Sequence, residues 1–430
     1  MGQSRNNQNF LDAVRALSDR IVEAQKPIRI LDAIQWQAPV KREFFQKGTR
    51  SLPAVGADYY QQHCPLPYDA ADKKREFHDI ERDIVKRLGQ MNPLSTIMRR
   101  TCREYQQVVR MLEARGTDEF NDISQELYGA ASDVFHAGDP TLADLGTSME
   151  KTLLNLMQHA SLQETPKTIA APVAVDYLNQ KLLTVFPDEG IRVMLNDNMT
   201  ADAAAGSDYL KIRSDAMFSQ SDLDVLEVHE GWVHLGTTLN GMAQPYCTFL
   251  GKGPPSSTIT QEGLAVLTEI LTLRSTPTRL YKLVNRVRAV TLAEEGADFV
   301  EIFRYLKDKG LSDDDSYTIC ARVFRGSTPN GRPFTKDLSY MKGFILTYNF
   351  LRLAMARGQI GALPLLFCGK TMLEDLPVYK QLLEEGVLTA PKFTPPHFRD
   401  LKGLASWMSF SRFIASLNFE QLEADYAQLL

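Results

Sequence analysis

Apolar positions recur at helical spacing through the first third of the chain. The runs are Phe10-Leu11, Val14, Leu17 and Ile21-Val22; Phe77, Ile80, Ile84-Val85 and Leu88; and Ile97-Met98, Tyr105, Val108-Val109 and Met111-Leu112. Steps of three and four residues lay one apolar stripe along each helix, so these segments are expected to be amphipathic helices packed on one another. Proline-bearing breaks separate them at Ser51-Leu52-Pro53, His63-Cys64-Pro65-Leu66-Pro67 and Ala137-Gly138-Asp139-Pro140. From about Lys167 the period shortens. Ile191-Arg192-Val193-Met194-Leu195 and Tyr209-Leu210-Lys211-Ile212-Arg213 alternate between turn-forming residues and are expected to be strands of a small sheet.

The helical pattern then returns. Ser219-Gln220-Ser221-Asp222 has the form of a capping box, and Leu223, Val225 and Leu226 open an apolar face. The helix they start carries Val228-His229-Glu230-Gly231-Trp232-Val233-His234. A second capping box, Thr258-Ile259-Thr260-Gln261, would put Glu262 in the first turn of another helix, with Ala265 and Glu269 on the same face. A long apolar helix is expected to open at Phe334-Thr335-Lys336-Asp337 and run through Tyr340, Phe344, Ile345 and Tyr348. Three regions follow from this pass: a helical region at 1–165, a core at 166–350 with the sheet and the histidine helix, and a C-terminal helical region at 351–430 packed on that core.

Composition narrows the function classes. A chain of 430 residues with 44% hydrophobic content buries a core without disulfides or a structural metal, so any metal would be there for chemistry. The net charge of −5, with Lys and Arg scattered, gives no footprint for nucleic acid or a membrane surface. Cys64, Cys102, Cys247, Cys320 and Cys368 lie far apart and never as C-x-x-C, which fits reduced thiols and a cytoplasmic location. Gly369-Lys370-Thr371 looks like the end of a phosphate loop, but Pro364 stands where the first glycine is required, so nucleotide binding is not expected. Gly251-Lys252-Gly253-Pro254-Pro255 is expected to be a flexible loop over the site.

Two histidines flanking a glutamate, with another glutamate about thirty residues on, form a donor set from which zinc peptidases are built. The histidine step is five residues. On a regular helix five residues turn His234 about 140° away from His229, so the two could not reach one ion. Either the helix widens locally into a π-type turn, which Gly231 would ease, or it ends near Gly231 and His234 comes from the next turn. In a third reading Glu230 and His234, four residues apart, make a surface pair and no metal is held. The Glu262 helix favours the metal, because Ala265 would let it approach the histidine helix closely. Gly263 weakens an early turn unless close packing requires it.

His229-Glu230-Gly231-Trp232-Val233-His234 together with Gln261-Glu262-Gly263-Leu264-Ala265 resembles the bacterial QEGLA-motif proteins, also labelled flavohemoglobin expression-modulating. That family shares a domain with the microtubule-associated tyrosine carboxypeptidases of animals, and the resemblance covers most of the chain beyond the N-terminal helices. It implies one Zn2+ per chain held by His229, His234 and Glu262, with Glu230 as catalytic acid and base. The expected fold is α+β and predominantly α-helical, with a zincin-like metallopeptidase core and a small sheet beside the metal-binding helix. The expected function is a zinc carboxypeptidase acting on the C-terminus of a peptide or protein. The competing readings are a non-catalytic metal-binding or regulatory protein, and a zinc aminopeptidase or endopeptidase.

A carboxypeptidase also needs a cation for the free carboxylate of its substrate. Arg322, Arg325 and Lys336, with the amides at the start of the Lys336 helix, could form that trap. Lys336 opposes the helix dipole there and is poorly placed for stability alone. The same cations could instead pair with Asp337 or the acidic run Asp313-Asp314-Asp315. Tyr340 is a candidate oxyanion donor. Arg213 is a candidate substrate contact at the end of the strand Tyr209 to Arg213, which a substrate backbone could join by strand addition or which could be purely structural.

Overall fold

The three N-terminal stripes fold as the helices Gly2–Gln25, Ala70–Leu88 and Pro93–Glu113 in the computed structural model, which describes residues 2–162, 164–197, 199 and 201–427. Asp69 and Asn92 cap the second and third, their side-chain oxygens accepting backbone N–H groups of the first turn. The buried faces of these helices do not form a core of their own. Leu17, Ile21, Phe77, Ile84, Met98 and Val108 share one apolar cluster with Val233, Leu264, Leu351 and Phe367. The N-terminal third therefore presses directly on the helices that carry the motifs. A second cluster packs Trp36 and Phe44 against Val284, Phe299, Phe303 and Val323. A third lies under the sheet, where Leu178 and Leu182 meet Leu210, Ile212, Phe218 and Leu235.

Helices make up 65% of the chain and strands 4%, so helix packing builds the interior and the sheets only shape one wall. β1 (Ile169–Ala170) pairs antiparallel with β5 (Met217–Phe218). β2 (Arg192–Asn196), β3 (Ala203–Ala205) and β4 (Tyr209–Arg213) form a sheet in the order β2-β4-β3, parallel between β2 and β4 and antiparallel between β4 and β3. This order corrects one expectation. The strand Tyr209–Arg213 is central, with both edges already paired, so it cannot receive another strand; β2 and β3 are the edge strands, and β3 is the one that touches the histidine helix through Glu230. The segment Gly251–Pro255 is not a loop over the site either. The Lys252 ammonium donates to the carbonyls of Gln25 and Ile28, and Tyr105 donates to the Gly253 carbonyl, which ties the segment beneath the N-terminal helices. Among the described residues no helix is long and apolar enough to cross a membrane.

The helices Ser257–Leu271 and Leu338–Ala356 approach each other closely. A Cβ on Gly263 would lie 2.0 Å from the Gly343 carbonyl carbon, and a Cβ on Gly343 would lie 1.9 Å from the Ile259 oxygen. Backbone touches backbone here, which explains a glycine that propensity alone disfavours. Gly263→Ala is expected to lower stability by about 3 kcal/mol in denaturant unfolding, because neither backbone can move aside. Gly361→Ala, where a Cβ meets open space, should stay within about 0.5 kcal/mol.

Candidate metal and substrate site

The capping box at Ser219 forms as expected, with the hydroxyl accepting from Asp222 N–H and the Asp222 carboxylate accepting from Ser219 N–H at 2.8 Å. The helix it starts runs as α over Gln220–Leu226, as π over Glu227–Leu235 and as α again over Gly236–Met242. Of the two arrangements that could align the histidines, the structure takes local widening and not termination. In π winding the residue at i+5 takes the place that i+4 has on an α-helix. The rings of His229 and His234 consequently meet edge to face with centroids 4.7 Å apart. Gly231 packs against the helix Ala171–Val185, where an added Cβ would fall 2.5 Å from Leu182 Cδ2.

Glu262 reaches the same point from the facing helix. Its Oε2 lies 3.3 Å from His229 Nε2 and 3.3 Å from His234 Nε2. The second capping box does not form. This helix begins at Ser257, earlier than expected, and its first turn is held from outside by Glu104, which accepts from Ser256 N–H at 2.9 Å and from its hydroxyl at 2.7 Å. Glu262 therefore sits in the second turn. Burial opposes its charge, but Lys336 and the two histidines outweigh burial and hold the carboxyl well below the usual range.

The two separations from Glu262 are of the size a zinc ion would require. A tetrahedral ion with ligand bonds of about 2.0–2.1 Å requires donor atoms about 3.3 Å apart, which is the separation of Glu262 Oε2 from each imidazole. His229 Nδ1 lies 2.5 Å from Glu269 Oε1, an arrangement that commits Nδ1 to donation and leaves Nε2 as the atom that would coordinate a metal. Glu269 is in turn held by Arg279 at 3.1 Å. Burial disfavours a charge on His229, yet hydrogen bonds to Glu262 and Glu269 raise its pKa to about 10. Glu230 is the second carboxylate nearby, with donor atoms of His229, Glu230 and His234 all within 4.8 Å of one another. Its Oε2 accepts from the Ala205 N–H of the edge strand β3 at 2.9 Å. Two carboxylates thus stand by the imidazoles, Glu262 at 3.3 Å from both Nε2 atoms and Glu230 within 4.8 Å.

His229 and Glu230 open into a cavity of about 400 Å³, also lined by Ala203, Arg279, Arg286, Arg322 and Tyr340. Tyr340 stacks 6.2 Å from His229, and its hydroxyl accepts from Arg322 at 3.4 Å. Arg322 makes a bidentate pair with Asp337, at 2.5 and 2.7 Å. Lys336, Arg325 and Arg213 do not line the cavity. Lys336 donates to Glu262 Oε1 at 2.9 Å, so it steadies the third donor instead of meeting a carboxylate in the cavity. Arg325 is buried behind Arg322, 3.8 Å from Asp337 and over the Phe334 ring. Arg213 is engaged by Asp202 and Asp215, each at 3.0 Å.

The family model described as microtubule-associated tyrosine carboxypeptidase matches residues 42–416. The chain belongs to this family. The QEGLA-motif name refers to the same family. No individual curated protein matches the chain. The matched span includes His229, Glu230, His234, Glu262 and all of the cavity cations.

One of those cations, Arg286, was missed from the sequence. Arg279, Lys282 and Arg286 recur at steps of three and four on the helix Pro277–Glu294, and all three line the cavity. That basic stripe was the available signal. Arg286 makes only a 3.9 Å ion contact with Asp337, leaves its Nε without a hydrogen-bond partner and lies 5.1 Å over the Tyr340 ring. Asp337 is therefore shared by Arg286, Arg322 and Arg325.

Asp337→Asn would leave these guanidiniums buried without their counter-charge, and a loss of about 3–5 kcal/mol is expected in denaturant unfolding. Burial works against the Asp337 charge, but Arg322 and Arg286 outweigh it and depress the pKa. A depressed carboxyl contributes fully above its unfolded value, about pH 4, and its contribution is lost as pH falls toward the folded value. The stability gap between parent and Asp337→Asn should thus be constant from pH 5 to 8 and narrow below about pH 4.

Proposed function

We propose that the protein is a zinc-dependent carboxypeptidase. The observation that carries this reading is the convergence of His229 Nε2 and His234 Nε2 on Glu262 Oε2, 3.3 Å from each, beside Glu230 and an edge strand. Zinc held there would supply a Lewis acid and bring the pKa of a water from about 15.7 toward about 7. Glu230 would take the proton of the attacking water and deliver it to the nitrogen of the leaving residue. The Tyr340 hydroxyl would donate to the carbonyl oxygen as it gains charge. β3 would pair with the substrate backbone through the groups of Ala203 and the Ala205 carbonyl that face away from β4, since the Ala205 N–H is held by Glu230.

The free carboxylate distinguishes this reading from an aminopeptidase or an endopeptidase. Arg286, with an unmatched Nε, and Arg322 beside Tyr340 supply cations on the cavity wall for it. Arg325 and Lys336 would support that wall from behind. The family description points to tyrosine as the leaving residue, and the cavity has room for an aromatic side chain beside Tyr281, Phe218 and Leu226.

Purified protein should carry about one zinc per chain, and Glu230→Gln should keep that zinc while hydrolysis falls by about 10²–10⁴-fold. Metal-free protein from a zinc-replete preparation, or an active Glu230→Gln variant, overturns the peptidase reading and leaves the regulatory one. Mass spectrometry of peptides with free and amidated C-termini should find cleavage of the free form alone. Arg286→Gln should lower kcat/KM on free C-termini by about tenfold to a hundredfold, the worth of one charge-assisted hydrogen bond. Equal cleavage of amidated peptides would sink the carboxypeptidase assignment while sparing the metal site.

A further inference from the structure

Lys370 lies on neither motif, yet its ammonium touches both of the helices that bring the candidate ligands together. It donates to the His234 carbonyl oxygen at 2.8 Å, to Thr237 Oγ1 at 3.1 Å and to Gln261 Oε1 at 3.2 Å. The first of these bonds fixes the peptide plane that follows His234, and with it the direction in which the imidazole leaves the backbone. The third fixes Gln261, the residue immediately before Glu262. Thr237 closes the network: its hydroxyl contacts the carbonyls of Val233 and His234 and donates to Gln261 Oε1 at 2.8 Å. The Thr238 hydroxyl also donates to the His234 carbonyl, at 2.8 Å.

The segment that presents Lys370 is itself anchored. Lys370 N–H donates to the Leu250 carbonyl at 2.7 Å, and Gln261 Nε2 reaches the Gly369 carbonyl at 3.5 Å. A Cβ on Gly369 would lie 2.6 Å from Leu250 Cβ and 2.8 Å from the Leu250 oxygen, so the backbone runs too close to its neighbour for any other residue. This gives the Gly369-Lys370-Thr371 stretch a reason for its composition that owes nothing to phosphate.

We propose that Lys370 is a positioning residue for the metal centre, clamping the π-wound end of the His234 helix to the start of the Glu262 helix so that the two ligands stay in register. The proposal rests on the zinc reading above. It assigns the lysine no contact with substrate and no proton transfer.

The test compares two partly buried lysines that do the same local chemistry. Lys252 also donates to main-chain carbonyls at a helix end, those of Gln25 and Ile28, but away from the cavity. Lys370→Met and Lys252→Met should both lower the melting temperature of the metal-free protein. Only Lys370→Met should weaken zinc binding, by about 10–100-fold in chelator competition, the range for loss of an outer-sphere partner. Only Lys370→Met should alter the visible absorption of the cobalt-substituted protein, which reports ligand geometry and which a merely destabilising change would leave alone. Thr237→Val, which removes the shared hydroxyl and keeps the lysine, gives a second and milder variant and should weaken zinc binding in the same direction. Zinc affinity and cobalt spectrum equal to the parent in Lys370→Met, or an equal loss in Lys252→Met, overturn the positioning role alone. A parent protein that binds neither metal overturns the zinc reading and this inference together.

Discussion

Two imidazoles five residues apart can face one point only where the helix between them is wider than α, and the rest of the site is arranged around that requirement. A π turn has poorer hydrogen-bond geometry than the helix on either side, so it persists where its surroundings hold it. Here Leu182 seats against Gly231, the hydroxyls of Thr237 and Thr238 bond back to the carbonyls at its end, and Lys370 adds a charged donor to the same carbonyl. Each of these is a side-chain contact with the π segment's own backbone. They act on the winding, and the winding sets the two histidines.

The third donor depends on a different constraint, the contact of backbone with backbone at Gly263 and Gly343. That contact fixes the spacing of the Glu262 helix from the helix Leu338–Ala356, which carries Tyr340 and follows directly on Lys336 and Asp337. Glu104 then sets where the Glu262 helix begins. Glu104 belongs to the N-terminal third, which supplies no cavity residue. That region is thus coupled to the site through a buried carboxylate on a helix start and through the apolar cluster it shares with Val233 and Leu264. The distance between Glu262 and the histidines is a property of the whole helical packing and not of the motifs alone.

The sequence made the donors legible because their chemistry is local. Histidine, glutamate and glycine at those spacings restrict the possibilities before any tertiary contact is considered, and Gly263 could be read as a close approach from propensity alone. The alternating run at 209–213 was legible as a strand for the same reason. What could not be read was which partner each long side chain chooses. Lys336 is poorly placed for a helix N-terminus, which was visible, but its partner is Glu262, seventy-four residues earlier in the chain. The neighbours of a strand are likewise not written in it, so the central position of Tyr209–Arg213 and the edge position of β3 emerged only with the sheet order. Arg286 lay in an ordinary-looking helix, and its basic stripe acquires meaning only once that face is known to line the cavity.

The charges around Asp337 argue for function over stability. A buried ion pair rarely adds net stability, because desolvating both charges offsets most of their attraction, and a buried cation without a partner is costly outright. Arg279 and Lys336 are each matched, by Glu269 and Glu262. Arg286, Arg322 and Arg325 share a single carboxylate, and burial together with the neighbouring Arg322 lowers the pKa of both Arg286 and Arg325. Selection for stability alone would replace one of these guanidiniums with an apolar side chain of similar volume. An anionic group arriving in the cavity would relieve the imbalance at the moment of binding. A free α-carboxylate matches the planar fork of an arginine. It would lie in the same cavity as His229 and Glu230, which is where a residue about to leave the end of a chain has to be held.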